Sequence, residues 1–156
     1  MSYVENGGFA DFFAPMMAVA ANDTKPACAI DIGASSGTHG EWVCIKPCSV
    51  QRLLFAVSLE AASGTTTAPT VVFKKRPTPG SSTSESTLGT LTIPSGTAIG
   101  VTVYKDITPV SFAVGQSIQV SWTIGVGTPT GQGNADIEAS YSPEYYGNNS
   151  NMLASS

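Results

Sequence analysis

Residues 49–61 read SVQRLLFAVSLEA. Leu53, Phe55, Val57 and Leu59 alternate with smaller or polar neighbours, so four large apolar side chains share one face of a long strand. The same period of two recurs on either side. ACAIDIG (27–33) sets Cys28, Ile30 and Ile32 against Ala29 and Asp31. EWVCIK (41–46) runs as a strand to Pro47, and TVVFKK (70–75) is another. TLGTLTI (87–93) carries Leu91 and Ile93, with a break near Gly89. VTVYKDI (101–107) alternates Val101 and Val103 against Thr102 and Tyr104. SIQVSWTIGV (117–126) turns Ile118, Val120, Trp122 and Ile124 inward, and ADIEASYS (135–142) closes the series.

The intervening segments carry turn chemistry. GASSGTHG (33–40), ASGTTTAPT (62–70), RPTPGSSTSES (76–86), PSGTAIG (94–100) and GTPTGQGN (127–134) are rich in Gly, Pro, Ser and Thr. PVSFAVG (109–115) ends in a turn at Gly115-Gln116. No helical pattern interrupts the body. The reading is an all-β protein, an antiparallel β-sandwich or jelly roll of about eight strands. Residues 1–24 form an N-terminal extended arm, 25–146 the sandwich domain and 147–156 a flexible C-terminal tail.

The arm is the greasiest part of the chain. GGFADFFAPMMAVAANDT (7–24) holds Phe9, Phe12 and Phe13, half of the Phe residues, and Met16 and Met17, half of the Met residues. Gly7-Gly8 supplies a hinge, and Pro15 breaks any helix after about one turn. A segment this short needs a surface to lie on. The five large side chains are expected to form a protein interface, with another subunit favoured over the chain's own sandwich.

Charged residues make up 12% of the 156, and the net charge is −4. A typical soluble domain has about 25% charged residues, so hydroxyls replace ion pairs here. That balance argues against nucleic-acid binding, which favours a basic stripe. Lys74-Lys75-Arg76 reads as a solvated strand edge. No apolar run reaches the length of a membrane span. Glu5 and Asp11 interrupt the start, so no signal peptide is expected, and the sequons at Asn22 and Asn148 read as chance. Three Cys, an odd count, argue against a disulfide scaffold and point to a reducing compartment, with one bridge plus a free thiol as the alternative.

No catalytic or cofactor constellation stands out. His39 is the sole His and sits in a Gly-flanked segment; a Ser-His-Asp device needs its imidazole between nucleophile and carboxylate. Cys28, His39, Cys44 and Cys48 lack the close pairs of a zinc knuckle, and buried Cys acting as a small hydrophobe is the simpler reading. Asp136 and Glu138 share one strand face, whereas glycoside hydrolysis wants carboxylates across a substrate. GVGTPTGQG joins strands, so it offers no phosphate cradle. Neither enzyme, metal nor cofactor is expected. Exposed aromatics could serve a sugar or a rim contact, and Trp42, Tyr141, Tyr145 and Tyr146 are the candidates.

Residues 88–144 carry a Pro-Ser-Gly turn (Pro94, Ser95, Gly96), then FAVGQSIQVSW with its Gly115-Gln116 turn, a Gly-rich loop and a closing SYSP. This third of the chain resembles small β-sandwich structural proteins of tailed bacteriophage virions, the capsid decoration or cement class. The resemblance implies a non-enzymatic protein, made in the host bacterial cytoplasm, that stabilises a capsid from its exterior. Its implied partners are the major capsid protein and further copies of itself, a homotrimer being favoured, with no nucleic acid or membrane. The alternative is a carbohydrate- or receptor-binding module of a head or tail fibre.

Overall fold

A computed structural model describes residues 13–15, 29–31 and 36–141. Nine strands follow one another: β1 (Phe13–Pro15), β2 (Ala29–Asp31), β3 (Gly37–Cys44), β4 (Cys48–Thr67), β5 (Thr70–Arg76), β6 (Ser86–Thr92), β7 (Thr102–Phe112), β8 (Ser117–Thr123) and β9 (Val126–Tyr141). They build two antiparallel sheets, in the orders β1-β3-β8-β5-β6 and β2-β9-β4-β7.

The strand order specifies the topology within the sandwich class. Setting β1 aside, the chain behaves as one long hairpin: β2 pairs β9, β3 pairs β8, β4 pairs β7 and β5 pairs β6. Rolling that hairpin sends alternate pairs to alternate sheets and adds the contacts β4–β9 and β5–β8. This is a jelly roll. The roll turns its corner where Thr67 faces Val126 in one sheet and Thr70 faces Thr123 in the other. Gly125 sits in the bend, where a Cβ would collide with the carbonyl oxygen of Thr67 and lie 3.2 Å from Pro69 Cδ. Only glycine lets the two ribbons approach so closely.

The core lies between the sheets. Leu53, Phe55 and Val57 of β4, with Ile137 beside them on β9, face Val71 and Phe73 of β5 and Ile118 and Val120 of β8, all buried. Trp42, Leu88, Val103, Ile107, Val110 and Trp122 pack around this cluster. The inward alternation read at Leu53, Phe55 and Val57 is thus the core face of β4; the side chain of Leu59 lies outside the described residues.

Several boundaries differ from the sequence reading. ASGTTTAPT and GTPTGQGN, read as loops, are mostly strand: β4 continues to Thr67 and β9 begins at Val126. Their hydroxyls serve the ladder, with Ser63 Oγ 2.7 Å from Thr130 Oγ1 and Thr66 Oγ1 donating to the Val126 carbonyl at 3.1 Å. His39 lies inside β3, not in a loop. Val126 belongs to β9, and β8 stops at Thr123. Residues 102–112 form one strand through Pro109, which is tolerated because β7 is a sheet edge. The expectation of a basic edge fails as well: β5 lies between β8 and β6.

Candidate protein interface

Three residues of the arm lie on the body. β1 pairs antiparallel with the outer edge of β3, matching Phe13 to Cys44, Ala14 to Val43 and Pro15 to Trp42. Pro15 donates no hydrogen bond, which suits an edge. Of Phe13 the backbone alone is described, and Phe9, Phe12, Met16 and Met17 lie outside the described residues.

Beside this edge the chain forms one end of the sandwich. The β3–β4 turn and the β7–β8 turn are knitted together: Cys44 N–H donates to the Gln116 carbonyl at 2.7 Å, and Gly115 N–H donates to that of Cys44 at 2.9 Å. Ile45 and Val114 project from the two turns with 47% and 62% of their surface exposed. Trp42 enters from β3, half-buried and packed against the core beside its register partner Ile118. Tyr141 pairs with Cys48 and is described by its backbone alone; Tyr145 and Tyr146 lie outside the described residues.

Cys44 and Cys48 face each other beneath this end, one from each sheet, with their sulfurs 4.0 Å apart. The Cys44 thiol donates to the Lys46 carbonyl at 2.9 Å. Burial pushes both thiols up from the ordinary value, Cys48 the further. Little thiolate therefore exists at neutral pH. Alkylation by iodoacetamide should be slow at both positions in the native protein and complete in denaturant, read by mass on the peptide that holds them. Fast native labelling would contradict their placement. Cys28 lies outside the described residues, and among those described no group of three or more His, Cys, Asp or Glu could hold a metal ion.

Sequence reasoning missed the polar organisation of both outer faces. On the five-stranded sheet, Glu41 of β3 is buried and its carboxylate gathers three donors. Arg76 Nη1 of β5 donates to Oε1; Ser117 Oγ of β8 and the Gly80 N–H both donate to Oε2 at 2.8 Å. Burial pushes the Glu41 carboxyl up, but the Gly80 amide, Arg76 and Ser117 together outweigh it and hold it below the usual range. Arg76 also meets Glu85 at 3.1 Å, and Lys74 meets Glu85 at 2.6 Å. Lys75 donates to the Ser111 carbonyl at 2.6 Å and stands 4.7 Å over the Phe112 ring. Each of the three cations is thus paired, Lys74 and Arg76 sharing Glu85.

On the four-stranded sheet, Arg52 of β4 bridges Asp106 of β7 at 2.6 Å and Glu138 of β9 at 3.0 Å, and lies 4.9 Å over Tyr104. Gln51 also donates to Glu138, at 2.9 Å. Asp136 and Glu138 do share this face, but Glu138 is tied into the Arg52 cluster while Asp136 accepts the Ile137 N–H at 2.8 Å. Tyr104 is 60% exposed.

No family model matches the chain. No curated protein matches it either. Among solved structures, a chain of "Structure of infectious bursal disease virus Gt strain" is similar over 74% of this chain, at 12% identity and a TM-score of 0.26. The match spans 27% of that chain's length, so this protein corresponds to about a quarter of it.

Proposed function

We propose that the protein is a non-enzymatic virion structural protein that decorates a bacteriophage capsid and stabilises it by binding the shell lattice. The observation that carries this reading is the jelly roll with an apolar arm at its edge. Jelly rolls serve as viral shell and lectin domains, among other roles, and fold alone does not choose between them. Here the space between the sheets is filled by Leu53, Phe55, Phe73, Ile93, Ile118 and Ile137, which turns attention to the outside of the molecule. The arm's sequence carries five large apolar side chains, Phe9, Phe12, Phe13, Met16 and Met17.

Each of those side chains contributes about 1.5–3 kcal/mol when fully buried. Ordering the arm costs roughly 1–2 kcal/mol per residue, so most of the five must bury together for a net anchor. The partners are the major capsid protein and further copies of the chain, as a trimer on the capsid exterior. Deleting residues 1–20 should leave the far-ultraviolet β signature unchanged and abolish binding to shells of the virus that encodes the chain. Full shell occupancy by the deletion variant would contradict the arm's role.

A second reading, a glycan-binding module, is favoured by one feature. Tyr104 lies exposed on the outer sheet face, with Arg52 over its ring and Asp106 and Glu138 bound to that Arg52, an aromatic with polar neighbours. Glycan-array binding lost on Tyr104→Ala would support this reading over the first.

A further inference from the structure

We propose that residues 77–85 form an acid-releasable strap, held over the outer face of β3, β8 and β5 while Glu41 is ionised and let go when Glu41 takes up a proton. The strap connects β5 to β6 and consists mostly of Pro, Gly, Ser and Thr. It has no large apolar side chain to anchor it. Its internal hydrogen bonds are local turns: Ser81 N–H to the Thr78 carbonyl, Thr83 N–H to Ser81 Oγ, and Glu85 N–H to the Ser82 carbonyl. Among the described residues two polar attachments fix it to the sheet. At its middle, the Gly80 N–H donates to Glu41 Oε2. At its end, Glu85 meets Lys74 and Arg76.

Glu41 is the only one of these acceptors that reaches out from beneath the strap to its middle among the described residues. Its oxygens face donors from three directions, the Arg76 guanidinium, the Ser117 hydroxyl and the Gly80 amide. A proton added to either oxygen meets a donor instead of an acceptor and removes the counter-charge of Arg76. The charged groups of the described residues that face this site are Lys74 and Arg76 from β5 and Glu85 from the strap, with Gln119 of β8 opposite Glu41 in register. Because Glu41 is held below its ordinary value, its contribution is complete above the unfolded value, about 4.3. It is lost as pH falls through the lower folded value. The strap is therefore closed at neutral pH and opens in acid, ahead of the sheets beneath it.

Amide hydrogen exchange on the full chain, corrected for intrinsic rates, tests this. In the wild type the Gly80 amide should lose protection in acid, at a pH below the ordinary carboxylate value, while the amides of Val71 and Val120 stay protected. Glu41→Gln, which keeps the shape and removes the charge, should lower Gly80 protection about tenfold to a hundredfold at pH 7 and abolish the acid step. Ser117→Ala, a milder change, should move the step to higher pH. The proposal is overturned if Gly80 and the sheet amides lose protection at one and the same pH. It is also overturned if Glu41→Gln protects Gly80 as the wild type does, or if Ser117→Ala leaves the step in place.

Discussion

Arg76→Ala should destabilise the protein by about 3–5 kcal/mol, the cost of leaving a buried carboxylate without its counter-charge. Arg76 and Glu41 are both buried, and Arg76 is the cation in contact with Glu41. Glu85 loses a partner at the same time and keeps Lys74. The effect belongs to the unpaired charge more than to the pair. Replacing both members by apolar residues of similar size should therefore recover much of the loss. Urea unfolding reads this directly: the midpoint falls while the slope stays constant. A loss under about 1 kcal/mol, the scale of a surface ion pair, would mean that the Glu41 cluster is open to water.

Phe55→Ala should cost a similar amount, about 3–5 kcal/mol, for a different reason. Phe55 is fully buried on the inward face of β4, the central strand of its sheet with β9 on one side and β7 on the other. Its ring fills the space above Gly133, where a Cβ would lie only 2.7 Å from Phe55 Cζ. A side chain cannot collapse into that gap from β9, because glycine has none to offer. The cavity should persist, and thermal and urea unfolding should both register it. A cost near that of a surface substitution would show that residues 49–61 do not face a shared core.

The strand faces of the body were legible because apolar alternation is a local signal. Leu53, Phe55, Val57, Ile118 and Val120 could be placed from the order of residues, and all are buried between the sheets. The hydroxyl-rich ends of β4 and β9 were not legible. Ser63, Thr65, Thr66 and Thr130 use residue types common in turns, yet two such segments lying antiparallel pair as a ribbon. That pairing joins residues more than sixty positions apart, so no local window contains it. The strand order hides for the same reason: sandwich and jelly roll share their alternation and differ only in which distant strands meet.

The polar clusters were lost to sequence in a second way. Lys74, Lys75 and Arg76 form a run that looks solvated, but their partners Glu85, Ser111 and Glu41 come from a loop and from other strands. Glu41 gives no warning of its burial, since it stands in β3 beside His39 and Gly40, where apolar periodicity is weak. Arg52, Asp106 and Glu138 are likewise united only by register across β7, β4 and β9. The arm differs from these. Its composition announced that Phe9, Phe12, Phe13, Met16 and Met17 need a surface, and β1 joins the edge of β3 between Trp42 and Cys44.

Sedimentation of the purified full chain with empty shells of the bacteriophage proposed to carry it tests the central claim most directly. Saturable co-sedimentation, at a copy number fixed by the lattice and blocked by a synthetic peptide of residues 1–24, is the predicted result. A chain that stays in the supernatant at every concentration would contradict the proposed role at the capsid.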